Sequence, residues 1–242
     1  MTDDILHHLL MRRYEAAQYP LGRFLLHAHL WQQRLHARWL AHGAAAAKRA
    51  LDVALSSLML LLLSPLFLLI AALVWVEDGG PMFFAQTRVG QFGREFKMYK
   101  IRSMCLDAEQ RLKELLARNH HKQGVTFKLQ DDPRITHVGK WLRKFSFDEL
   151  PQLVNVLFGD MSLVGPRPPV PREVAMYSLA DRRRLSVKPG ITCLWQISGR
   201  ANIDFAGQVD LDVDYIETQS FWSDLKILAR TVPAVLSGKG AC

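Results

Sequence analysis

Residues 50–76 form an almost uninterrupted apolar run in which Asp52 is the single charged side chain. As one straight helix, rising about 1.5 Å per residue, this run reaches across a bilayer hydrocarbon core of about 30 Å. The simplest interpretation is a helix that spans a membrane. This feature constrains the rest of the chain, because every other segment must be placed relative to a bilayer.

Ser64 and Pro65 interrupt the middle of the run. Proline removes a helix hydrogen bond and its ring clashes with the preceding turn, so a sharp bend is expected, with the Ser64 hydroxyl satisfying a freed carbonyl. The bend permits a second topology, in which half-helices of roughly 14 and 11 residues enter and leave through one face. Lys48 and Arg49 would then anchor at the cytoplasmic head groups. The sequence alone leaves the spanning and re-entrant topologies open.

Residues 1–47 interleave apolar and basic side chains, and residues 79–242 return to mixed composition. Basic amphipathic helices that lie on a membrane surface have the composition of the first segment, but so does a segment that packs on the protein itself. Asp3 and Asp4, with no small-residue cleavage site, argue against a secretory signal peptide. We therefore expect an N-terminal extension, a membrane segment at 48–78 and a soluble region at 79–242.

Charge and cysteine content restrict the partners and the compartment. The 31 lysines and arginines exceed the 23 acidic residues, and a formal charge of +8 favours phosphorylated substrates, anionic lipids or nucleic acid. Cys105, Cys193 and Cys242 lie far apart without a C-x-x-C spacing. The sequence thus indicates neither a disulfide framework nor a structural zinc site, and it fits a reducing, cytoplasm-facing location.

The soluble region is predicted to be mainly α, with a small β-hairpin. Short apolar stretches at 82–86 and 96–101 flank a glycine turn at 90–93, which indicates the hairpin. Apolar periodicity predicts helices at 107–121, 150–158, 205–215 and 221–236, the second of them ended by Gly159. Residues 165–169 are expected to form an ordered non-helical loop.

Asp148 and Glu149 stand just before Pro151, a residue tolerated in the first turn of a helix. Two carboxylates are therefore expected at a helix N-terminus. Each has an ordinary explanation, Asp148 as an N-cap and Glu149 as a favourable charge at the helix dipole. An aspartate in this position is also able to act as a covalent nucleophile on phosphorus, with magnesium screening the approach of one anion to another.

Several cations accompany this pair in the sequence. Arginine forks match phosphate oxygens, and a diphosphate needs several such donors to spread its charge. Arg167 is notable because Pro166 and Pro168 hold its backbone stiff, which lowers the entropy lost on binding. For any single cation a solvated surface position is the simpler explanation, but the set forms a candidate phosphate site: Lys100, Arg102, Arg134, Arg143 and Arg167.

Other nucleotide and metal signals are missing from the sequence. It contains no Walker A loop and no G-x-G-x-x-G motif after a strand. Asp210, Asp212 and Asp214 alternate, but Tyr215 stands where a calcium loop needs glycine, so this stretch is interpreted as a charged helix face.

Taken together, these residues resemble the bacterial sugar transferase family of polyprenyl-phosphate phosphoglycosyltransferases. The resemblance extends over residues 48–240 and rests on motifs that occur in order: Lys48-Arg49-x-x-Asp52, Ser64-Pro65, Gly80-Pro81-x-Phe83-x-x-Gln86-x-Arg88-x-Gly90, Lys100-x-Arg102-Ser103-Met104, Asp148-Glu149-Leu150-Pro151-Gln152-Leu153-x-Asn155 and Gly159-Asp160-Met161-Ser162-Leu163-Val164-Gly165-Pro166-Arg167-Pro168.

The resemblance implies a re-entrant helix broken at Ser64-Pro65, with residues 79–242 as a catalytic domain on the cytoplasmic face of the bacterial inner membrane. It implies a magnesium-dependent reaction in which Asp148 attacks the sugar-bearing phosphate of a UDP-sugar and expels UMP. Undecaprenyl phosphate then takes the sugar phosphate. Glu149 is implied to help place Mg²⁺ or manage a proton; Lys100, Arg143 and Arg167 line the site, and Arg88 and Arg102 are further basic positions.

The C-terminal motifs resemble members that prime exopolysaccharide or O-antigen synthesis, which favours UDP-glucose or UDP-galactose as donor and leaves a homodimer possible. A non-catalytic membrane scaffold of polysaccharide assembly is the alternative, although such a protein would tolerate loss of the carboxylates. Nucleic acid is not an expected partner, because the apolar run and the lack of a recognised binding motif argue against it.

Overall fold

A computed structural model describes residues 19–111, 132–199 and 203–237 of the chain. By internal contacts the chain divides into two compact units, Met1–Lys48 and Arg49–Cys242. The α-helices and strands of the described residues follow one another in this order: α1 Pro20–Asp78, β1 Phe83–Val89, β2 Glu95–Ile101, α2 His137–Lys144, α3 Gln152–Phe158, β3 Ser162–Val164, α4 Pro171–Val174, β4 Gly190–Thr192, α5 Leu194–Ser198, α6 Phe205–Thr218 and α7 Phe221–Ser237. The predicted mainly α class is confirmed. Much of the predicted helix at 107–121 lies outside the described residues.

The predicted hairpin is present and longer than expected. Strands β1 and β2 pair antiparallel from Phe83 opposite Ile101 to Val89 opposite Glu95. The turn between them uses positive φ angles at Phe92 (57°) and Gly93 (82°), the second of which favours glycine. The hairpin presents Arg88 and Lys100 on the strands that border the candidate site.

The core of the second unit forms where α3 packs between the hairpin and a small parallel sheet. In that sheet, β3 pairs with β4 from Ser162 opposite Gly190 to Val164 opposite Thr192. Helix α3 ends at Gly159, whose φ of 87° lets its N–H donate to the carbonyls of Asn155 and Val156. The buried cluster around α3 contains Met98, Leu153, Val156, Met161, Leu163, Val164, Tyr215 and Ile227.

Helix α1 stays helical through Ser64 and Pro65, so the chain does not leave the helical conformation there, and the expected bend at this position stays a prediction. The cause is local. Proline has no N–H to give to the Leu61 carbonyl, and the Ser64 hydroxyl donates to that carbonyl instead, at 2.8 Å. The expected role of the serine is therefore confirmed, while the helical conformation is retained.

Within the second unit, residues 49–78 of α1 have one face packed on the rest of that unit and another face exposed. Asp52, Ser56, Ile70 and Val74 are buried at helical spacing, whereas Leu68 on the opposite face is 74% exposed. Residues 45–78 are long and apolar enough to cross a membrane, judged by length and composition. The exposed apolar face is therefore consistent with membrane association.

Both ends of this apolar segment are attached to the same unit. Near its start, Arg49 donates to the carbonyls of Val156 and Leu157 at 2.5 and 2.7 Å, and Asp52 accepts from the Leu163 N–H at 3.0 Å.

At the other end of the segment, Asp78 pairs with Arg102. The Glu77 carboxylate accepts from the Val138 N–H at 3.2 Å, in the first turn of α2. The segment therefore lies along the unit rather than projecting away from it.

Candidate active site

Asp148 and Glu149 lie in a short 3-10 turn, Phe147–Glu149, directly before α3. The turn follows Ser146, which adopts a left-handed conformation with φ 57°. Pro151 is the residue preceding the first turn of α3. The expected helix start near Asp148 is therefore a 3-10 turn, and the α-helix itself begins four residues later at Gln152.

Lys100 on β2 joins the two carboxylates. Its Nζ lies 2.9 Å from Glu149 Oε1 and 3.8 Å from Asp148 Oδ2. Asp148 is only 7% exposed, and a buried carboxylate is costly unless a cation faces it. The hairpin and the turn before α3 thus build one compact charged site.

The environment moves the pKa values of the two acids in opposite directions. Burial raises the pKa of Asp148 above the usual 3.8, and the negative charge of Glu149 adds to the rise against the opposing effect of Lys100. Burial disfavours the charged form of Glu149 as well, but Lys100 and then Arg167 outweigh it and lower its pKa to about 2. Glu149 is therefore the permanently ionised partner, while Asp148 is the carboxylate that binds a proton more readily.

Arg167 and Arg88 extend the cationic side of the site. Arg167 Nη1 lies 3.7 Å from Glu149 Oε1. Arg88 donates to the Pro168 carbonyl at 2.9 Å and to Gln86 Oε1 at 2.7 Å, so it supports the loop that carries Arg167. Burial, followed by the charge of Arg167, lowers the pKa of Arg88 to about 10.

The loop at 165–169 is ordered and non-helical, as predicted. Gly165 is needed for a close approach, since a Cβ there would lie 2.4 Å from the Lys188 carbonyl oxygen. This contact fixes the start of the loop against the segment before β4. Pro166 and Pro168 flank Arg167 and restrict its backbone, which helps to keep that side chain in place.

Arg143 is the candidate cation whose side chain has no hydrogen bond or ion pair with another residue in the described ranges 19–111, 132–199 and 203–237. It is half-buried in the last turn of α2, lines the cavity beside Asp148, and lowers the pKa of Asp148 electrostatically. A guanidinium in this position is available to an incoming anion.

Arg102 and Arg134 line the same cavity, but each is held by a carboxylate. Arg102 is buried against Asp78 and packs over Gly80, where a Cβ would lie 2.3 Å from its Nη1. Arg134 is buried in an ion pair with Asp132. Both arginines therefore stabilise the segments that carry them, a role that spacing alone did not distinguish from phosphate binding.

Asn155 positions the site, a role that its place in a sequence motif does not reveal. Its amide nitrogen donates to the Lys97 carbonyl at 2.8 Å, and its Oδ1 accepts from the Tyr99 N–H at 3.0 Å. The fully buried side chain thereby attaches α3 to β2. This attachment sets the distance between Lys100 and the two acids.

The alternating aspartates of α6 do not form the uniform charged face that was expected. Asp210 and Asp214 are exposed, but Asp212 is 1% exposed and pairs with Arg184. The Arg184 guanidinium also lies over the rings of Tyr177 and Phe205, 5.8 Å from each centroid. Asp212 and Arg184 thus form a buried ion pair, and Arg184 lines the cavity.

Lys100, Asp148, Glu149 and the arginines of the site open into one cavity of about 1440 Å³. Its wall also includes apolar residues of α1. The fold and the site therefore define a class of protein, a mainly helical unit with one long apolar helix and a cavity that combines a carboxylate pair with several cations. The family profile "Bacterial sugar transferase" matches residues 43–238, and the chain belongs to that family.

Curated relatives agree with this family. The chain is 54% identical over 196 residues to the galactosyl transferase CpsE of Streptococcus agalactiae, covering 81% of this chain and 43% of the relative. It is 46% identical over 198 residues to the exopolysaccharide production protein ExoY of Rhizobium meliloti, covering 81% and 88%. It is 38% identical over 220 residues to the undecaprenyl-phosphate glucose phosphotransferase of Komagataeibacter xylinus, covering 86% and 39%. The chain thus spans less than half of two of these relatives and most of the third.

Proposed function

We propose that this protein transfers a sugar 1-phosphate from a UDP-sugar to undecaprenyl phosphate and releases UMP, with UDP-glucose or UDP-galactose as donor. The product, undecaprenyl-diphosphate-sugar, would be formed at the cytoplasmic face of the inner membrane as the first membrane step of exopolysaccharide or O-antigen synthesis. The names of the relatives supply the lipid and the two sugars, and membership of the family supplies the reaction class.

The observation that carries this proposal is the buried Asp148 beside Lys100, inside a cavity that also contains Arg143, Arg167 and apolar residues of α1. A scaffold would have no use for a buried carboxylate whose ionised form is disfavoured. Such a group costs stability, so its presence favours a chemical role.

The proposed chemistry has two displacements at phosphorus. An Asp148 carboxylate oxygen attacks the sugar-bearing phosphorus of the donor, and the bond from that phosphorus to the bridging oxygen breaks, so UMP leaves with the bonding electron pair. A phosphate oxygen of the lipid then attacks the same phosphorus, the bond to Asp148 breaks, and the carboxylate is restored. No oxidant and no net proton source are needed.

Cations of the cavity would stabilise the charge that develops on the transferred group. Arg143 and Arg167, which line the cavity, would bind the phosphates, and Lys100 would hold Glu149 and Asp148 in position and contact the same phosphate oxygens. Arg88 supports Arg167 through the Pro168 carbonyl. Arg102 and Arg134 would contribute by holding the walls of the cavity.

Magnesium fits the donor set of the site. Mg²⁺ is usually bound through one or two carboxylates together with substrate phosphates and water, and Asp148 and Glu149 supply two carboxylates. The described residues contain no cluster of three histidine, cysteine or acidic ligands, so the substrate diphosphate would have to provide the remaining ligands. When bound, the ion would neutralise phosphate charge.

The re-entrant topology is part of the proposal. Asp52 near one end of the apolar segment and Asp78 at the other both bind the unit that carries the active site. A segment that crossed the bilayer would place one of these ends on the far side. Both ends therefore belong at the cytoplasmic face, with the exposed side of α1 in the membrane.

Topology is tested with Gln32→Cys and Phe92→Cys, two exposed positions on either side of the apolar segment 45–78, in a background lacking Cys105 and Cys242. A membrane-impermeant thiol reagent should label both cysteines in inside-out vesicles and neither in right-side-out vesicles. Labelling of the two positions from opposite faces would establish a spanning helix.

Activity is tested by UMP release from a panel of UDP-sugars, using purified protein with Mg²⁺ and undecaprenyl phosphate. Lipid-dependent release with UDP-glucose or UDP-galactose is expected, and the preferred sugar is identified in the same assay. Folded wild-type protein that releases UMP with no donor would instead favour the scaffold alternative.

A further inference from the structure

Two arginines of the cavity wall lie on separate elements, and each element is bound to a different end of the apolar segment of α1. Arg167 lies shortly after β3, and Arg143 lies in the last turn of α2. Asp52, near the start of the segment, contacts β3, and Glu77, at its end, contacts α2. All of these residues belong to the second unit. The two contacts are therefore candidates for setting the positions of the two guanidinium groups.

Asp52 fixes the strand that leads to Arg167. Its Oδ1 accepts from the Leu163 N–H at 3.0 Å and from the Ser162 hydroxyl at 3.1 Å. Asp52 is 4% exposed, and it forms no ion pair in the part of the chain that the structure describes. A buried carboxylate without a counter-ion costs stability, so its two hydrogen bonds to β3 point to a role in placing that strand.

Strand β3 is held on both of its edges. The Ser162 N–H donates to the Pro189 carbonyl at 2.8 Å, and the Gly165 N–H donates to the Thr192 carbonyl at 3.0 Å. Successive N–H groups of a strand point to opposite edges, so the Leu163 N–H turns away from β4 and meets Asp52. Release of the Asp52 edge would let the strand move, together with the loop that carries the guanidinium two residues further on.

Glu77 fixes the helix that carries Arg143. Its carboxylate accepts from the Val138 N–H at 3.2 Å, in the first turn of α2, where N–H groups have no partner within the helix. Leu142 on the same helix is fully buried and packs with Ile70 of α1. Arg143 is the next residue, so the end of the apolar segment supports the helix at its start and beside the arginine.

We propose that Asp52 and Glu77 are positioning residues, Asp52 for Arg167 and Glu77 for Arg143, through which the apolar segment sets the separation of two phosphate-binding arginines. This inference rests on the proposed function and deepens it. A transferred phosphate is stabilised by donors held at fixed places, and a displacement of about 1 Å costs up to about 10²-fold in rate. Neither carboxylate has to touch a substrate to act in this way.

The test is a set of crossed double-mutant cycles, measured as kcat/KM for the UDP-sugar in nanodiscs. Asp52→Ala and Glu77→Ala are each combined with Arg167→Ala and with Arg143→Ala. Each alanine substitution of a carboxylate should lower kcat/KM about tenfold by itself. Asp52→Ala should have no further effect once Arg167 is absent, and Glu77→Ala none once Arg143 is absent. In the background that lacks the other arginine, each should keep its full effect.

Conservative variants separate the hydrogen bonds from the charge. Asp52→Asn and Glu77→Gln keep an acceptor oxygen and should keep kcat/KM close to that of wild type. A substitution that only lowers the folded fraction changes kcat/KM by the same factor in every background, so it produces no coupling in the cycles. If Asp52→Ala does not fold, Ser162→Ala replaces it, because this substitution removes one of the hydrogen bonds to Asp52.

Additive effects in all of the cycles, with an active wild type, would overturn the inference and leave the proposed function standing. Equal coupling of Asp52 to both arginines would also overturn it, since that result reports a general change of the cavity. Wild-type protein that releases no UMP with any donor would overturn the proposed function itself and this inference with it.

Discussion

Lys100 Nζ donates to Glu149 Oε1 at 2.9 Å and thereby ties the hairpin to the turn that carries both acids. The same ammonium lies 3.8 Å from Asp148, so one cation serves two carboxylates with different pKa values. Glu149, with a pKa of about 2, stays charged at all working pH values. Asp148, with its raised pKa, is the group whose ionisation should control activity.

The acid limb of the pH–rate profile should follow Asp148. Its folded-state pKa lies above 3.8, so the nucleophilic carboxylate is present above that raised value and is lost as the pH falls through it. Glu149→Gln removes a negative charge that raises this pKa and should move the limb to lower pH. Lys100→Met removes a positive charge that lowers it and should move the limb to higher pH.

Lys100→Met should also lower kcat by about 10²–10³-fold, the usual effect of losing one charge-stabilising donor. Lys140→Met, at an exposed lysine of α2, is the matched control and should leave both kcat and the profile unchanged. Profiles measured from pH 5 to 9 would check both statements. If the acid limb of the pH–rate profile moves in neither Glu149→Gln nor Lys100→Met, Asp148 is not the group that titrates in it.

Asp148→Asn should stabilise the protein at neutral pH. Because burial raises the folded-state pKa, the contribution of Asp148 to stability is full below its unfolded pKa and is lost as the pH rises through its folded pKa. Asparagine avoids this loss, so Tm should rise by about 2–4 °C, the size of a 1 kcal/mol change in a chain of this length.

Thermal unfolding at pH 7 and pH 4, with the exposed Asp214→Asn as control, provides the measurement. The rise in Tm caused by Asp148→Asn should be smaller at pH 4, and Asp214→Asn should leave Tm unchanged at both pH values. A clear fall in Tm at pH 7 would mean that the ion pair with Lys100 outweighs the cost of burial.

Asn155→Ala should destabilise the second unit. The substitution removes the partner of the Tyr99 N–H and of the Lys97 carbonyl, at a cost of about 1–3 kcal/mol for two partly buried hydrogen bonds. Denaturant unfolding in detergent would report the change. Phe158→Ala, at an exposed position in the same helix, should cost far less, and an equal loss in both variants would contradict the role given to Asn155.

Ser64→Ala should cost about 1 kcal/mol of stability in the apolar segment of α1, because the Leu61 carbonyl loses the hydroxyl donor that replaces the missing N–H of Pro65. In a Pro65→Ala background the backbone N–H at position 65 is restored and donates to the Leu61 carbonyl, so the serine substitution should no longer cost stability. The exposed Ser57→Ala is the control. Unfolding in nanodiscs measures this double-mutant cycle, and a cost that persists without Pro65 would show that the serine acts elsewhere.

Local patterns in the sequence predicted those features whose cause is local. The hairpin followed from alternating apolar residues around a glycine turn, and the end of α3 followed from the left-handed conformation that Gly159 permits. The Asp148-Glu149 pair is ordinary at a helix start, and it is the cations and motifs around it in the sequence that mark it as a candidate site. These features need no knowledge of distant segments.

Features set by tertiary contacts were not predictable in the same way. Arg102 and Arg143 both line the cavity and look alike in the sequence, but Arg102 is paired with Asp78, whereas the Arg143 side chain has no ion pair in the part of the chain that the structure describes. Asp212 shares its helix with two exposed aspartates, and only its contact with Arg184 reveals that it is buried. The serine hydroxyl was identified from the sequence as the partner of the freed carbonyl, but the helical conformation of α1 through Pro65 was not.

The central claim is that Asp148 forms a covalent bond to the transferred phosphorus. The most direct measurement is rapid-quench incubation with the preferred UDP-sugar and Mg²⁺ in the absence of lipid acceptor, followed by UMP quantification and peptide mass spectrometry. The account predicts a burst of about one UMP per active enzyme and a sugar-phosphate adduct on the peptide containing Asp148, which undecaprenyl phosphate then discharges. UMP that forms only when the acceptor is present, with no adduct on Asp148 in an enzyme that turns over, would contradict it.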